Sequence, residues 1–167
     1  MIDRRFLLLA LPLVMAACGR PEPSKFKTYS GPPVTRVLVY KESRRMYLMH
    51  FDRPLKAYDI ALGFAPEGHK QFEGDGKTPE GEYTIDRRNP NSRFHLSIGI
   101  SYPNEADKAF AKAAGKSPGG DIFIHGRPPR FQNGVQDWTW GCIAVTDEEM
   151  EDIYAMVRDG TPISIFP

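Results

Sequence analysis

Cysteine is scarce in this chain. Only Cys18 and Cys142 occur in 167 residues. Two cysteines in an exported protein ordinarily suggest a bridge, but Cys18 lies in a processing segment, so no structural disulfide is expected. Histidine is scarce too, with four copies and no HExxH, CxxC or paired-ligand spacing. No metal and no cofactor is expected on that pattern. Charge of one sign is also lacking: 22 basic residues face 21 acidic ones for a net charge of +1. No run can neutralise a phosphate backbone, which makes nucleic acid an unexpected partner. No apolar stretch is long enough to span a bilayer, and no internal repeat or low-complexity segment is present.

What the chain does have is 41% hydrophobic and 11% aromatic content, enough for one core and too short a length for a second enzyme domain. Its first residues read as an export signal: Arg4 and Arg5, an apolar run from Phe6 to Met15, and the small pair Ala16-Ala17 before Cys18. Met15-Ala16-Ala17-Cys18 resembles the lipobox of bacterial lipoproteins, which implies cleavage before Cys18 and its acylation. An ordinary signal peptide ending near Ala17 is the alternative. Gly19 at the next position is, by analogy with lipoproteins, compatible with the outer membrane. Arg20-Pro21-Glu22-Pro23-Ser24 is polar and proline-rich, as a tether should be. The expected division is a signal over 1–17, lipidated Cys18 and a flexible tether over 18–32, and a folded domain over 33–167. The protein is thus expected outside the cytoplasmic membrane, in the periplasm, held by its lipid. Nothing in the sequence fixes its oligomeric state.

Within the domain, β-branched and aromatic residues predict strands over 34–40 and Arg45–His50, joined by the charged break Lys41-Glu42-Ser43-Arg44. Further strands are expected over 55–62, 83–87, 94–101, 121–125 and 161–166, with Ile143-Ala144-Val145 strand-like. The glycine- and proline-rich stretch 64–82 predicts a long surface loop of the functional kind. Asn104 with Asp107 opens a helix over 105–114, and Thr146 with Glu149 forms a capping-box pattern for a second helix stopped by Gly160. The expected fold is mainly β, a single-domain sandwich with two helices packed on one side.

Cys142 lies between a loop and the strand-like Ile143-Ala144-Val145. Free cysteine is among the most buried residue types, so inert packing is the bland alternative. An unassisted thiol is only about 3% thiolate at neutral pH, and an imidazolium partner lowers its pKa. His125, followed by Gly126 at the end of an expected strand, supplies a candidate base. His50, His69 and His95 are scattered and read as surface or ordinary packed residues.

Here the residues resemble a known family, the L,D-transpeptidase or YkuD catalytic domain. Its signature is a His, often followed by Gly or Ser, then Ser/Thr-His-Gly-Cys. His125-Gly126 followed by Thr139-Trp140-Gly141-Cys142 is similar to it. Gly74-Asp75-Gly76-Lys77-Thr78-Pro79-Glu80-Gly81 looks like the family's Thr-Pro-x-Gly loop. Trp140 departs from the usual histidine, and Ala144 from the Arg or Asn that many members carry there. With the stretch from Asn91 to Asn104, these changes resemble a Gram-negative subgroup, some of whose members cut cross-links.

The resemblance implies a YkuD-like sandwich acting on peptidoglycan stem peptides. Cys142 would attack the carbonyl of the third stem residue, expel a terminal D-alanine and carry a thioester. His125 would be the general base and acid, oriented by the Gly126 carbonyl. Backbone N–H groups at Gly141 and Cys142 are expected to hold the oxyanion. Thr139, Trp140, Trp138 and Arg127 are the expected substrate contacts, with Arg127 facing a carboxylate, and the loop from Arg127 to Asp137 is a candidate lid. Three outcomes stay open: transfer to a second stem giving a wall cross-link, hydrolysis by the same site, and non-catalytic peptidoglycan binding.

Overall fold

The computed structural model describes residues 24–127 and 136–167. Alternating burial builds the first hairpin. Val37 and Val39 of β1 (Arg36–Tyr40) and Met46 and Leu48 of β2 (Arg45–His50) are fully buried, while their neighbours face outward. Next come β3 (Arg53–Asp59), β4 (Gly81–Asn89), β5 (Ser97–Ile100), β6 (Phe123–His125), β7 (Ile143–Ala144) and β8 (Pro162–Phe166). They complete a sheet in the order β3-β2-β1-β8-β4-β5-β6-β7. The last strand in sequence is central: β8 runs parallel to β1 and antiparallel to β4.

The sheet curves until its two ends meet. Ala61, just past β3, exchanges both backbone hydrogen bonds with Ala144 of β7, each 2.9 Å. The mainly β, two-helix, single-domain architecture matches expectation, with its two layers formed by halves of one bent sheet. This closure brings residues 60–64 alongside 138–144, the segment that bears Cys142.

The helices α1 (Glu105–Ala113) and α2 (Asp147–Met156) both start with reciprocal capping boxes, at Asn104/Asp107 and Thr146/Glu149. Each cap contributes on the order of 1 kcal/mol. α2 buries Met150, Ile153 and Met156. It ends before Gly160, because Val157 already turns to extended backbone. Gly160 instead occupies a turn at φ 86° and donates its N–H to Ile85 O at 2.7 Å.

Two further expectations change, and the long loop proves internally ordered. β5 starts at Ser97, since His95 takes φ 69° and residues 94–96 leave the sheet. The loop over 64–82 is tightly organised: the Asp75 carboxylate accepts from the N–H groups of Gln71, Phe72 and Lys77 and from buried Lys70. Buried Lys41 ties the carbonyls of Gly68 and Thr78 to the Glu80 carboxylate. Finally, residues 24–32 are no loose tether. Phe26 packs on Tyr154, Lys27 pairs with Asp152 at 2.8 Å, and Lys25 Nζ donates to the carbonyls of Pro90 and His95. The expected signal over 1–17, with Cys18, lies outside the described residues.

Candidate active site

Cys142 sits where the chain enters β7, held by a turn that three neighbours define. The Thr139 hydroxyl donates to the Cys142 carbonyl at 2.6 Å and accepts from Gly141 N–H at 3.2 Å. Gly141 has φ 119°, and a Cβ there would lie 2.5 Å from the Lys77 carbonyl oxygen. A side chain is therefore excluded both by conformation and by contact. Lys77 is in place because Thr78, fully buried, accepts the Gly63 N–H at 3.1 Å. The Thr-Pro loop thus works as a buttress beneath the cysteine turn.

His125 ends β6 and is 4% exposed. Its Nδ1 lies 2.7 Å from the Gly126 carbonyl, which can only accept, so Nδ1 carries the proton and Nε2 the lone pair. Phe94 stacks on one face of the imidazole at 4.5 Å, and Trp138 meets it edge-on at 5.7 Å. Gly126 allows this crowding, for an added Cβ would fall 2.2 Å from Asp147 Oδ1.

Cys142 and His125 line one cleft of about 270 Å³ with Asn89, Arg93, Asp121 and Phe123 among its walls. The thiol is a free one. Its sulfur accepts from Phe123 N–H at 3.4 Å and donates to the Asp121 carbonyl at 3.5 Å. Burial pushes the Cys142 thiol up and the His125 imidazole down. Both shifts disfavour the charged forms, a direction that suits a base taking the thiol proton during attack better than an ion pair at rest.

The remaining expected site residues separate. Thr139 is buried, with its hydroxyl engaged in both directions, so it belongs to the turn and not to a substrate surface. The Gly141 N–H is likewise taken by that hydroxyl, which removes it as an oxyanion donor at rest. Trp138 is half-buried behind the imidazole. Trp140 is 72% exposed, meets Phe64 edge-on at 5.0 Å and is not among the lining residues of the cleft. Arg127 lies outside the cleft lining. Most of the candidate lid, residues 128–135, lies outside the described residues. Phe94, Phe123 and Arg93 enter the site without having been singled out. The only sequence signal was the stretch from Asn91 to Asn104 as a block.

Comparison with known proteins decides the family. The sequence model of YkuD, the L,D-transpeptidase catalytic domain, matches residues 34–165. The chain belongs to the L,D-transpeptidase catalytic-domain family. It is 30% identical over 150 residues to YafK of Escherichia coli (strain K12), covering 82% of this chain and 55% of YafK. Among solved structures, the L,D-transpeptidase domain is similar to the helical cell shape determining protein Pgp2 from Campylobacter jejuni, with 31% identity and a TM-score of 0.61. That match covers 78% of this chain and 46% of Pgp2. Bd1075 of Bdellovibrio bacteriovorus aligns at 25% identity and a TM-score of 0.57, over 80% of this chain and 48% of that one. The chain thus spans about half the length of these relatives. An L,D-transpeptidase from Xylanimonas cellulosilytica, 12% identical with a TM-score of 0.54 over 83% of this chain and 63% of that one, shares the fold.

Proposed function

We propose that this domain is a cysteine acyltransferase that acts on peptidoglycan stem peptides through a thioester on Cys142. One observation carries the reading. Thiol and imidazole line the same small cleft, and the imidazole proton is committed to the Gly126 carbonyl, which leaves Nε2 as the base. On this reading Nε2 takes the thiol proton as sulfur attacks the carbonyl carbon of the third stem residue. The C–N bond to the terminal D-alanine breaks, the proton passes from the imidazolium to the leaving amine, and the tripeptide acyl group stays on Sγ. An amine of a second stem then attacks the thioester, forming a cross-link and returning the thiol. With the Gly141 N–H occupied, the Cys142 N–H is the oxyanion donor, a role typically worth about 3 kcal/mol.

A second reading, hydrolysis, is favoured by Trp140. An exposed indole stands where the resemblance leads to a histidine that would steer an incoming amine. Water in place of the amine would release a tripeptide, or free a protein or second stem joined at that position. The exported location, the lipid on Cys18, an outer-membrane anchor and a part in cell shape, as named for Pgp2, belong to the same proposal. The full-length protein and Cys142→Ala, each incubated with purified tetrapeptide muropeptides, separate the readings by mass analysis of products. Dimers mean transfer, and tripeptides without dimers mean hydrolysis. Identical product patterns from both proteins would contradict either reading.

A further inference from the structure

The cleft around Cys142 holds a guanidinium that the fold does not use. Among its described lining residues Arg93 is the one arginine or lysine and Asp121 the one carboxylate. Asp121 is met by Arg87 at 3.3 Å, and Arg87 is held in turn by Asp86 and by the ring of Phe123. Arg93 makes no hydrogen bond, ion pair or ring contact with any described residue. Exposed arginines are usually of little consequence when their backbone is loose. This one sits on a clamped segment. Asn89 Oδ1 accepts from Asn91 N–H at 2.9 Å, and Ser92 Oγ accepts from Phe94 N–H at 3.1 Å. Phe94 stacks on His125, and its carbonyl accepts from Gly126 N–H at 3.0 Å. From the far end of the chain, Lys25 Nζ reaches the carbonyls of Pro90 at 2.7 Å and His95 at 3.2 Å. The main chain on both sides of Arg93 is therefore fixed while its side chain is not.

No second arginine or lysine is among the described lining residues, and Ala144, where the resemblance leads to Arg or Asn, is fully buried in β7 and outside that lining. Arg93 lines the same cleft of about 270 Å³ as Cys142, so a group it holds lies near the bond the thiol attacks. We infer that Arg93 binds a substrate carboxylate beside that bond, through the planar fork a guanidinium presents to a carboxylate. The inference rests on the stem-peptide reading above. Two carboxylates of a stem tetrapeptide can supply this chemistry: the α-carboxylate of the leaving D-alanine, and the second carboxylate of a diaminopimelate third residue.

The test compares the full-length protein with Arg93→Gln and Arg93→Lys on three substrates. These are a diaminopimelate tetrapeptide, its C-terminal amide, and the analogue with lysine as third residue. Arg93→Gln is expected to lose about ten- to a hundredfold in kcat/KM on the first, mainly through KM, the scale of a charge-assisted pair. Arg93→Lys is expected to recover only part, since an ammonium cannot reproduce the fork. The loss should vanish on whichever analogue lacks the carboxylate that Arg93 reads: the amide identifies the leaving residue, the lysine stem the third residue. Equal losses on all three substrates, or none on any, would overturn the inference while leaving the acyl-transfer reading intact. Absence of any Cys142-dependent product from the unsubstituted protein would sink both.

Discussion

His69 and His125 make opposite use of the same side chain. His69 has the partner often associated with catalysis: its Nδ1 accepts from Glu80 N–H at 2.9 Å, so Nε2 carries the proton and donates to Asp107 at 3.0 Å. The other Asp107 oxygen accepts from the Tyr83 hydroxyl and from Asn104 N–H, at the cap of α1. His125 has only a backbone carbonyl. Yet both ring nitrogens of His69 are consumed in tying the 64–82 loop to α1, whereas His125 keeps a basic nitrogen in a cleft that also holds a thiol. On the proposed mechanism the base is the imidazole without a carboxylate partner, whose Nε2 is left unspent in the cleft that also holds the thiol.

Substitution should split the two roles sharply. His125→Gln is expected to lower kcat/KM by about 10²- to 10⁴-fold, the worth of a general base, while shifting the melting temperature little. His69→Ala should do the reverse. It leaves the Glu80 N–H and part of Asp107 without a partner, at about 1–3 kcal/mol, or a fall of several degrees at roughly 2–4 °C per kcal/mol. Activity per folded molecule should change far less. Equal activity losses in the two variants would erase the distinction.

Gly141→Ala tests whether the buttress positions the nucleophile. The left-handed φ and the Lys77 carbonyl make the substitution strained by about 1–3 kcal/mol. Displacement of Cys142 should cost roughly tenfold or more in turnover, measured beside the melting curve.

The pH profile sharpens the comparison further. Burial holds the His125 pKa below its ordinary 6.5, so the base stays neutral as pH falls through that value. The acid limb of kcat/KM should lie below pH 6.5, and it should disappear from the residual rate of His125→Gln. For stability the sign is equally definite. Below the unfolded-state pKa the unfolded imidazole takes up a proton that the folded one resists, so acid favours unfolding until the folded pKa is also passed. The raised Cys142 thiol predicts that iodoacetamide labels the resting protein at pH 7 more slowly than it labels a free thiol. Faster labelling would contradict the upward shift of the thiol. The smallest effect is expected of Lys25→Met, which unclamps residues 90–95 and should raise KM a few-fold with little change in kcat.

The fold was largely legible because its signals are local. Both capping boxes, the hairpin from β1 to β2 and the closing strand β8 follow from short-range pattern. Cys142 and His125 were legible as a pair because motif spacing carries them. Phe94 and Arg93 were not, since the apolar run from Phe94 reads as strand until the left-handed His95 breaks it. Thr139 looked available for substrate because a hydroxyl's partners depend on a turn that only tertiary contact with residues 61–78 completes. The desolvation of thiol and imidazole was not legible either, because it comes from walls distant in the chain. Likewise Ser24 to Pro32 reads as tether by composition, and becomes part of the domain through Lys25, Phe26 and Lys27.

The most direct measurement is the intact mass of the full-length protein, quenched in acid during turnover of a tetrapeptide stem. A covalent adduct of the tripeptide acyl group, mapped to Cys142 and absent from Cys142→Ala, is the predicted result. Turnover that persists in Cys142→Ala, or that leaves no adduct on the thiol under single-turnover conditions, would contradict the thioester mechanism.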